Sequence, residues 1–480
     1  MATFGVLIGL GLLMWMAYRG YSVIFFAPVF ALLAAAFSGL PLLPTYTEIF
    51  LPNLANYVKT FFPFFLLGAV FGKAMEVSGS AESIARTVMR ALGAKRAILA
   101  VVLSCAVLTY GGVSLFVVAF AVYPFADSLF REAGIPKRLL PGTIALGAFT
   151  FTMDALPGSP QIQNAIPMRF FGTDLYAAPL FGTLGAILVF VSGLYYLERQ
   201  RKKAAIACLR RVSRAELPQD AAPPHSEQPA SAVSLTTATA DVPHPALAAL
   251  PLAIVVGLTL LLQKIVFPRI NLAALASSSA AVKFDPHALE SAVNNWALII
   301  AVAAGIIAAI LLNPRRVKGG VALAINAGVT GALLAVMNTA SEVGFGNVIK
   351  TLPGFQSIAN ALMGMRAGSG PLFSEAITVN VLAGVTGSAS GGMSIALDAF
   401  GKDYLSWAAS AGISPGLLHR VAAMASGGMD TLPHNGAVIT LLAITGLTHR
   451  ESYKDIFAIT LIKTAAVFAL IALNSVVPLG

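Results

Sequence analysis

The chain has 480 residues, of which 57% are hydrophobic and only 11% charged, and its mean hydropathy is +0.81. A soluble core of ordinary architecture cannot hide that much apolar surface, so the composition indicates a protein dissolved in a lipid bilayer. The net charge of +10 lies mainly in short loops, where Lys and Arg mark the cytoplasmic side rather than a nucleic-acid partner. Cys105 and Cys208 have neither the number nor the spacing of a disulfide framework or a metal site.

Two interruptions divide the apolar runs of residues 1–198. Residues 97–130 are too long for one span and are cut by Thr-Tyr-Gly-Gly-Val-Ser at 109–114, with basic residues at both ends. Irregular backbone at membrane depth needs protein or a water-filled cavity to satisfy it, so we predict a re-entrant hairpin. A tight turn between two full spans is the alternative. Residues 139–168 contain two prolines and a glycine at 157–160, which predict a broken helix.

Residues 199–246 differ in composition from the rest of the chain. After a basic start they are rich in Ala, Pro, Ser and Thr and lack apolar periodicity. Such a segment cannot bury enough surface to order itself, which predicts a disordered cytoplasmic linker, with a small regulatory module as the alternative. Apolar spans resume over residues 247–480, where we predict a second hairpin at 368–400 and a second broken helix at 416–447.

The second half repeats unusual features of the first in the same order, as the halves of transporters often do. Ser-Ile-Ala at 83–85 recurs at 357–359, a lag of 274 (357 − 83), and Gly-Gly-Val-Ser at 111–114 recurs as Gly-Gly-Met-Ser at 391–394, a lag of 280 (391 − 111). Met-Asp-Ala-Leu-Pro at 153–157 recurs as Met-Asp-Thr-Leu-Pro at 429–433, a lag of 276 (429 − 153). The last match is specific because an acidic residue inside an apolar span is rare.

Each half is expected to contain about five crossing helices, one re-entrant hairpin and one broken helix. An odd number of crossings inverts the second copy relative to the first. The predicted fold is therefore an all-α polytopic membrane protein of two inverted repeats, residues 1–198 and 247–480. With the basic loops inside, the linker is cytoplasmic and both termini lie outside. The N-terminal apolar stretch is predicted to be a retained helix, because no basic residue precedes it.

In inverted-repeat transporters the substrate site lies near the midplane, where half-helix N-termini face anionic groups. We therefore expect the two hairpin tips and the two helix breaks to converge. The alternative is that these small residues permit close helix packing and the amides satisfy free backbone groups. The candidate substrate-binding residues are Gly111, Gly112, Ser114, Ser159, Gln161, Gln163 and Asn164 in the first half and Ser388, Ser390, Gly391, Gly392, Ser394, Asn435 and Thr440 in the second.

Asp154 and Asp430 are ionisable groups at membrane depth, and they are candidates for proton coupling or for capping the helix breaks. We favour the cap, because a duplicated carboxylate suits a structural role in both halves. His434 has no counterpart in the first half and can change its charge between pH 5 and 8, so it is the first candidate for proton coupling. Glu375 and Asp398 are further candidates for carrying a proton and rank below His434, whereas Glu76 and Glu342 are interpreted as interfacial rather than functional.

Leu-Thr-Tyr-Gly-Gly-Val-Ser at 108–114 and Met-Asp-Ala-Leu-Pro-Gly-Ser-Pro at 153–160 resemble the gluconate permease family over the whole chain apart from the linker. Within that family the sequence is most similar to the branch of D-beta-hydroxybutyrate permeases. The resemblance implies proton symport of a hydroxy-acid anion, membership of the ion transporter superfamily, an elevator mechanism and a homodimer in the bacterial inner membrane. Gluconate-type members carry Leu-Pro-Pro-His-Pro-Gly-Pro at the first break, whereas this chain has Leu-Pro-Gly-Ser-Pro at 156–160, which leaves gluconate specificity and the proton-carrying residue open.

The sequence predicts a secondary active transporter for a short hydroxy monocarboxylate such as D-3-hydroxybutyrate, or for a sugar acid such as gluconate. A sodium- or proton-coupled di- or tricarboxylate carrier is the alternative. The sequence has no nucleotide loop and no His-Glu-x-x-His motif, so we do not expect an enzyme. The expected partners are the carboxylate, a proton, lipid and a second copy of the chain, without cofactor, metal or nucleic acid.

Overall fold

The computed structural model describes residues 2–19, 21–113, 115–212, 243–270, 286–317, 320–355, 370–433 and 435–479. Within these ranges every regular element is a helix, which confirms the predicted all-α class. Five of the described helices are long and apolar enough to cross a membrane, or six if one bent pair is counted as a span. Phe25, Leu43 and Tyr195 project from helix surfaces with more than half of their area exposed, as expected where lipid surrounds the protein. The chain is a multi-pass membrane protein.

The described part of the first half forms nine helices. The fourth and fifth meet at a bend of 99°. The helices are α1 Ala2–Tyr18, α2 Val23–Phe37, α3 Leu42–Val77, α4 Ser80–Leu92, α5 Ala94–Tyr110, α6 Leu115–Glu132, α7 Leu140–Ala148, α8 Ile162–Phe171 and α9 Pro179–Val212.

The second half follows a similar order of long helices, a helix pair and two half-helices. A short turn of helix, Pro314–Val317, lies between the second and third of its main helices. These are α10 Pro245–Arg269, α11 Pro286–Leu311, α12 Val321–Thr351, α13 Leu372–Thr386, α14 Ala389–Ser410, α15 Pro415–Ser426, α16 Gly436–Thr445 and α17 His449–Asn474.

The helices pack in two groups. In the first group α3 packs against α12, and α2, α10 and α11 complete the layer, with α1 against α2. Gly328 of α12 lies so near Val70 of α3 that a Cβ there would be 3.0 Å from the Val70 Cα, as in membrane helix pairs that use small residues. We call this group the paired-helix layer.

The second group contains both hairpins, all four half-helices, α9 and α17. Its contacts cross between the halves, because α6 packs against α16 and α14 packs against α8. The two groups meet where α12 lies against α14 and where α10 lies against α4. We call this group the break layer.

The predicted boundary between the first half and the linker is wrong. We placed the start of the linker at residue 199, but α9 continues to Val212. Residues 199–212 contain Ala, Lys, Arg and Leu but no Gly or Pro, so helix propensity carries the helix past the membrane span. Residues 213–242 lie outside the described ranges.

The helix interruptions lie inside the ranges predicted for the hairpins and the broken helices. Residues 111–113 follow α5, and residues 149–161 separate α7 from α8. In the second half, residues 387–388 separate α13 from α14 and residues 427–435 separate α15 from α16. The re-entrant path of the hairpins and the inverted orientation of the halves stay predictions. The repeat at 357–359 lies outside the described residues.

Candidate functional site

The tip of the first hairpin is a glycine turn after α5. Gly112 has a φ of +95°, a conformation that favours glycine. A Cβ on Gly112 would lie 3.0 Å from Pro160 in the first break, and a Cβ on Gly111 would collide with Leu252 of α10. The tip is therefore pressed between α10 and the first break. Ser114, a predicted substrate ligand, lies outside the described residues.

The first break is fastened to this tip by a side-chain amide. Gln161 Nε2 donates to the carbonyl oxygens of Thr109 at 2.7 Å and Val113 at 3.2 Å. The Tyr110 hydroxyl donates to the Pro157 carbonyl at 2.9 Å. These bonds satisfy carbonyls that interrupted helices leave free. Gln161, predicted as a substrate ligand, therefore holds the hairpin tip in this structure.

The second hairpin turns through a left-handed glycine and a serine cap. Gly387 has a φ of +67°, and the Ser388 hydroxyl accepts from the Gly391 N–H at 3.1 Å, which caps the N-terminus of α14. A Cβ on Gly392 would collide with the backbone of Ala383, so glycine allows the two arms to approach. The hairpin tip thus presents the N-terminus of a 22-residue helix.

The second break ends in an asparagine that does two things. Asn435 Oδ1 accepts from the Ala437 N–H at 2.6 Å and the Val438 N–H at 3.4 Å, so it caps α16. Its Nδ2 donates to the Gly387 carbonyl at 2.5 Å. Asn435, predicted as a substrate ligand, therefore fastens the second break to the second hairpin. His434 lies outside the described residues.

Gln161 and Asn435 occupy equivalent places in the two halves. They are 274 residues apart (435 − 161), within the lags of the sequence repeats. Each immediately precedes a half-helix, and each donates its amide to the tip of its own hairpin. In both halves, therefore, the same kind of hydrogen bond holds the helix break against the hairpin tip.

Buried carboxylates connect the two breaks with each other and with α17. Asp154 is 4% exposed, and its carboxylate lies against Gly427 of the second break, where a Cβ would collide with Oδ2. Asp430 is paired with the buried Lys463 of α17 at 2.6 Å. Lys463 also donates to the Phe149 carbonyl at the start of the first break, at 3.2 Å. Each break is thus in contact with the other.

The interpretation of Asp154 and Asp430 as helix caps is wrong. The residue that precedes α8 is Gln161, seven positions after Asp154 (161 − 154), and Asn435 precedes α16, five positions after Asp430 (435 − 430). The carboxylates lie too early in each break to bond the free N–H groups of the next half-helix, which a cap must adjoin. A role of either residue in proton coupling stays a prediction.

The sequence alone did not predict a network of buried, charged side chains at the first break. The guanidinium of Arg420, from α15, is fully buried and donates to Asn164 Oδ1 at 2.8 Å and to the carbonyls of Ala177 at 2.9 Å and Leu175 at 3.1 Å. His419 Nε2 lies 3.0 Å from the same Asn164 oxygen. A His-Arg pair inside an apolar segment is itself a rare signal that could have identified them. Asn164, predicted as a ligand, is engaged by protein.

Buried side-chain atoms without a hydrogen-bond partner remain among the described residues of these elements. Leaving such an atom unpaired costs about 1–3 kcal/mol, so a group of them indicates where a ligand binds. Of the predicted ligands, Ser159, Gln163 and Ser394 keep such atoms, whereas Thr440 is half-buried on α16. The atoms are Tyr57 Oη, Thr109 Oγ1, Asp154 Oδ2, Ser159 Oγ, Gln163 Oε1, Ser341 Oγ, Glu342 Oε2, both carboxylate oxygens of Glu375, Asn380 Oδ1 and Ser394 Oγ.

Two residues of the paired-helix layer complete a polar cluster at the second hairpin tip. Glu342 of α12 is 4% exposed, and its carboxylate interacts with the Ser388 hydroxyl and lies against Gly391. The Tyr57 hydroxyl of α3 lies beside Ser394. Glu342 therefore belongs to the surroundings of the second hairpin tip, whereas its interfacial depth in the membrane stays a prediction. Sequence gave no sign of this contact, because Tyr57 and Glu342 are far from the hairpin along the chain.

No three His, Cys, Asp or Glu side chains among the described residues are grouped closely enough to hold a metal ion. The candidate site is therefore built from hydroxyls, amides, glycine backbone and half-helix N-termini, with carboxylates on its margin.

Comparison with known proteins gives three matches. The sequence model of the GntP family permeases matches residues 1–266. YxjC, an uncharacterized transporter of Bacillus subtilis strain 168, is 52% identical over 472 residues, which cover 98% of each chain. The YdaH transporter of Alcanivorax borkumensis, whose crystal structure revealed an unusual topology, aligns with a TM-score of 0.52 at 16% identity over 89% of this chain and 88% of that one. At that identity the structural likeness concerns the fold alone.

Proposed function

We propose that this chain, which belongs to the GntP permease family, is a proton symporter for a short hydroxy monocarboxylate. D-3-hydroxybutyrate is the leading substrate and gluconate the second. The family makes the protein a secondary transporter of small organic anions. The coupling ion and the substrate are the parts that we add.

A monocarboxylate is favoured because the buried cations Arg420 and Lys463 are already bound to protein groups. Arg420 donates to protein oxygens through all three of its nitrogens, and Lys463 is paired with Asp430. In the part of the breaks that the structure describes, an anion is then left to half-helix N-termini and to neutral donors such as Ser159 and Ser394. Partial charges and hydroxyls suit one carboxylate with a hydroxyl nearby. Two or three carboxylates would need further cations.

The packing supports the inverted repeat. The second arm of each hairpin packs against the distal half-helix of the other half, α6 against α16 and α14 against α8. The equivalent bonds of Gln161 and Asn435 support the same arrangement. An exchange of this kind is what a two-fold axis between repeats produces, and with an odd number of crossings in each half that axis lies in the membrane plane.

We further propose that the break layer moves as a body against the paired-helix layer, and that the protein works as a homodimer in the bacterial inner membrane. The contact of α12 with α14 is one sliding surface in this scheme. Support for the moving layer comes from the grouping of all hairpins and half-helices on one side of that surface. The dimer and the membrane rest on the family resemblance.

The test is uptake by purified protein in liposomes with an imposed pH gradient, acid outside. Labelled D-3-hydroxybutyrate is the probe, and unlabelled gluconate, lactate, citrate and succinate are the competitors. We expect accumulation that follows the pH gradient, is independent of sodium and is competed mainly by short hydroxy acids. Uptake that requires sodium, or that only citrate or succinate blocks, would assign the protein to di- and tricarboxylate transport instead. Liposomes without protein are the control.

A further inference from the structure

We infer that Glu342 carries the coupled proton, in a site formed by α3, α12 and the tip of the second hairpin. This inference rests on the proposed function, since it assigns the symported proton to one residue. It differs from the expectation drawn from sequence, in which His434 was the first candidate.

The carboxylate of Glu342 faces the end of a helix, and no cation of the described residues is paired with it. It interacts with the Ser388 hydroxyl, which caps α14, and it fills the space beside Gly391 where a side chain would otherwise lie. Its Oε2 has no hydrogen-bond partner among the described residues. No described Lys, Arg or His nitrogen forms an ion pair with it. The free oxygen is thus available to a proton.

The groups that face Glu342 are few. From α3 the Tyr57 hydroxyl approaches it, and from α14 the Ser388 hydroxyl bonds it. Asp398 of α14 also acts on Tyr57, but its carboxyl lies near Asn347 and its backbone carbonyl accepts from Lys350. Helix α2, which packs against α12, has no titratable residue. A charge on Glu342 is therefore felt mainly at the hairpin tip.

The other acidic residues are placed differently. Glu76, also followed by Val on the partner helix α3, has a side chain that is 38% exposed and pairs with Lys73 at 2.8 Å. Asp430 pairs with Lys463, and Asp154 lies near the charges of Lys463 and Arg420. Glu375 is fully buried, and neither of its carboxylate oxygens has a described hydrogen-bond partner. It lies in the first turn of α13, however, at the opposite end of that helix from the hairpin tip. Among the described carboxylates, Glu342 combines burial, a place at a hairpin tip and the lack of a cation.

Binding of the proton and binding of the anion are coupled because the Glu342 carboxylate and the substrate carboxylate compete for the N-terminus of α14. Ser390 and Ser394 belong to the first two turns of α14, where both are buried and lie beside the Tyr57 hydroxyl. A substrate carboxylate at this helix end and an ionised Glu342 would be two negative charges in one water-poor site. When a proton from the outer solution binds Glu342 Oε2, the repulsion is removed and the anion can bind. By linkage each ligand favours the binding of the other by the same factor. Symport follows when the protein changes sides with both ligands bound or with neither.

The test replaces Glu342 with Gln, which keeps the shape of the protonated side chain. We expect E342Q to retain substrate exchange between the two sides of liposomes at equal pH, with a rate that no longer depends on pH. Accumulation driven by a pH gradient should be lost, whereas one-to-one coupling allows about tenfold accumulation per pH unit. Glu76→Gln is the matched control and should behave like the parent protein.

The outcomes separate this inference from the proposed function. If the parent protein shows no pH-driven uptake of any tested hydroxy acid, the proposed function fails. If the parent accumulates substrate and E342Q accumulates it equally, the function stands and the assignment of Glu342 is overturned. Loss of exchange together with accumulation in E342Q would also overturn it, because it would indicate a structural carboxylate. Glu342→Asp keeps a titratable group, and pH-driven accumulation that survives in it but not in E342Q supports the assignment.

Discussion

At the scale of single residues, Arg420 shows how one half of the molecule completes the other. The first break leaves carbonyl groups without helical N–H partners at a depth where water cannot replace them. Arg420, which belongs to the second half, donates to Ala177, Leu175 and Asn164. The rigid fork of a guanidinium can satisfy several acceptors at once, which the single ammonium of lysine cannot do. The arginine therefore stabilises an interrupted helix that is not its own.

Replacing Arg420 with Lys is expected to lower the free energy of unfolding by about 2–5 kcal/mol, because two or more buried acceptors lose their donor at about 1–3 kcal/mol each. The midpoint of thermal unfolding of the purified protein in detergent measures this. Arg169→Lys is the matched control, since Arg169 is exposed, donates to the half-buried Thr60 at 3.2 Å and lies over the Phe170 ring. Equal unfolding midpoints for both variants would contradict the proposed contribution of Arg420.

The sequence identified part of the site at this scale, and the missing part has a physical explanation. Asp154 and Asp430 are conspicuous as charges in apolar segments, and both lie in the breaks. Their bonds depend on which other segments come near, so capping was inferred wrongly, and Lys463 was not anticipated as a partner. Tyr57 and Glu342 lie within long helices and belong to no local motif. Their contact with the second hairpin depends on how α3 and α12 pack in the folded chain.

At the scale of elements, glycine and proline determine where the helices stop, and this is why the positions of the interruptions were readable. Gly112 and Gly387 adopt positive φ at the two tips, and Pro157 and Pro160 lie in the first break. The end of α9 was not readable in this way, because residues 199–212 contain neither glycine nor proline. The position of a break is determined by the local residues that interrupt a helix, whereas the length of a helix beyond the membrane depends on helix propensity alone.

Gln161 and Asn435 are expected to fix the hairpin tips. We predict that Asn435→Ala costs about 1–3 kcal/mol, because it removes a helix cap and leaves the Gly387 carbonyl without its donor. Gln161→Ala should have a similar effect through Thr109 and Val113. Each variant should raise amide hydrogen exchange at the tip of its own hairpin, as followed by mass spectrometry.

The control for this pair of variants is Asn326→Ala, which removes an exposed amide from α12. It should leave exchange at both tips unchanged. If Asn435→Ala raises exchange equally at both tips, the two tips are not held independently. If it raises exchange at neither tip, the Asn435 bond does not hold its hairpin. Either result would contradict the equivalent roles of Gln161 and Asn435.

At the scale of the whole molecule, the orientation of the two halves decides whether the fold can alternate between the two sides of the membrane. Two layers, one of paired helices and one of breaks, meet along α12 and α14. If the second half is inverted, each hairpin approaches the centre from its own side, and the same site can be opened to either side by moving one layer. If the halves were parallel, both hairpins would lie on one side, and this symmetry of access would be lost.

The orientation can be tested with cysteines, because the predicted topology puts the C-terminus outside and the end of α9 inside. The native chain has Cys105, which is buried, and Cys208 near the end of α9. We expect a membrane-impermeant maleimide to label Cys208 only after the cells are opened. In a chain that carries Cys208→Ala and Ser475→Cys, the new thiol follows the last helix at an exposed position and should be labelled in intact cells. Labelling of both thiols from the same side would mean that α10 to α17 cross the membrane an even number of times, and the inverted repeat would then be excluded together with the alternating access that it explains.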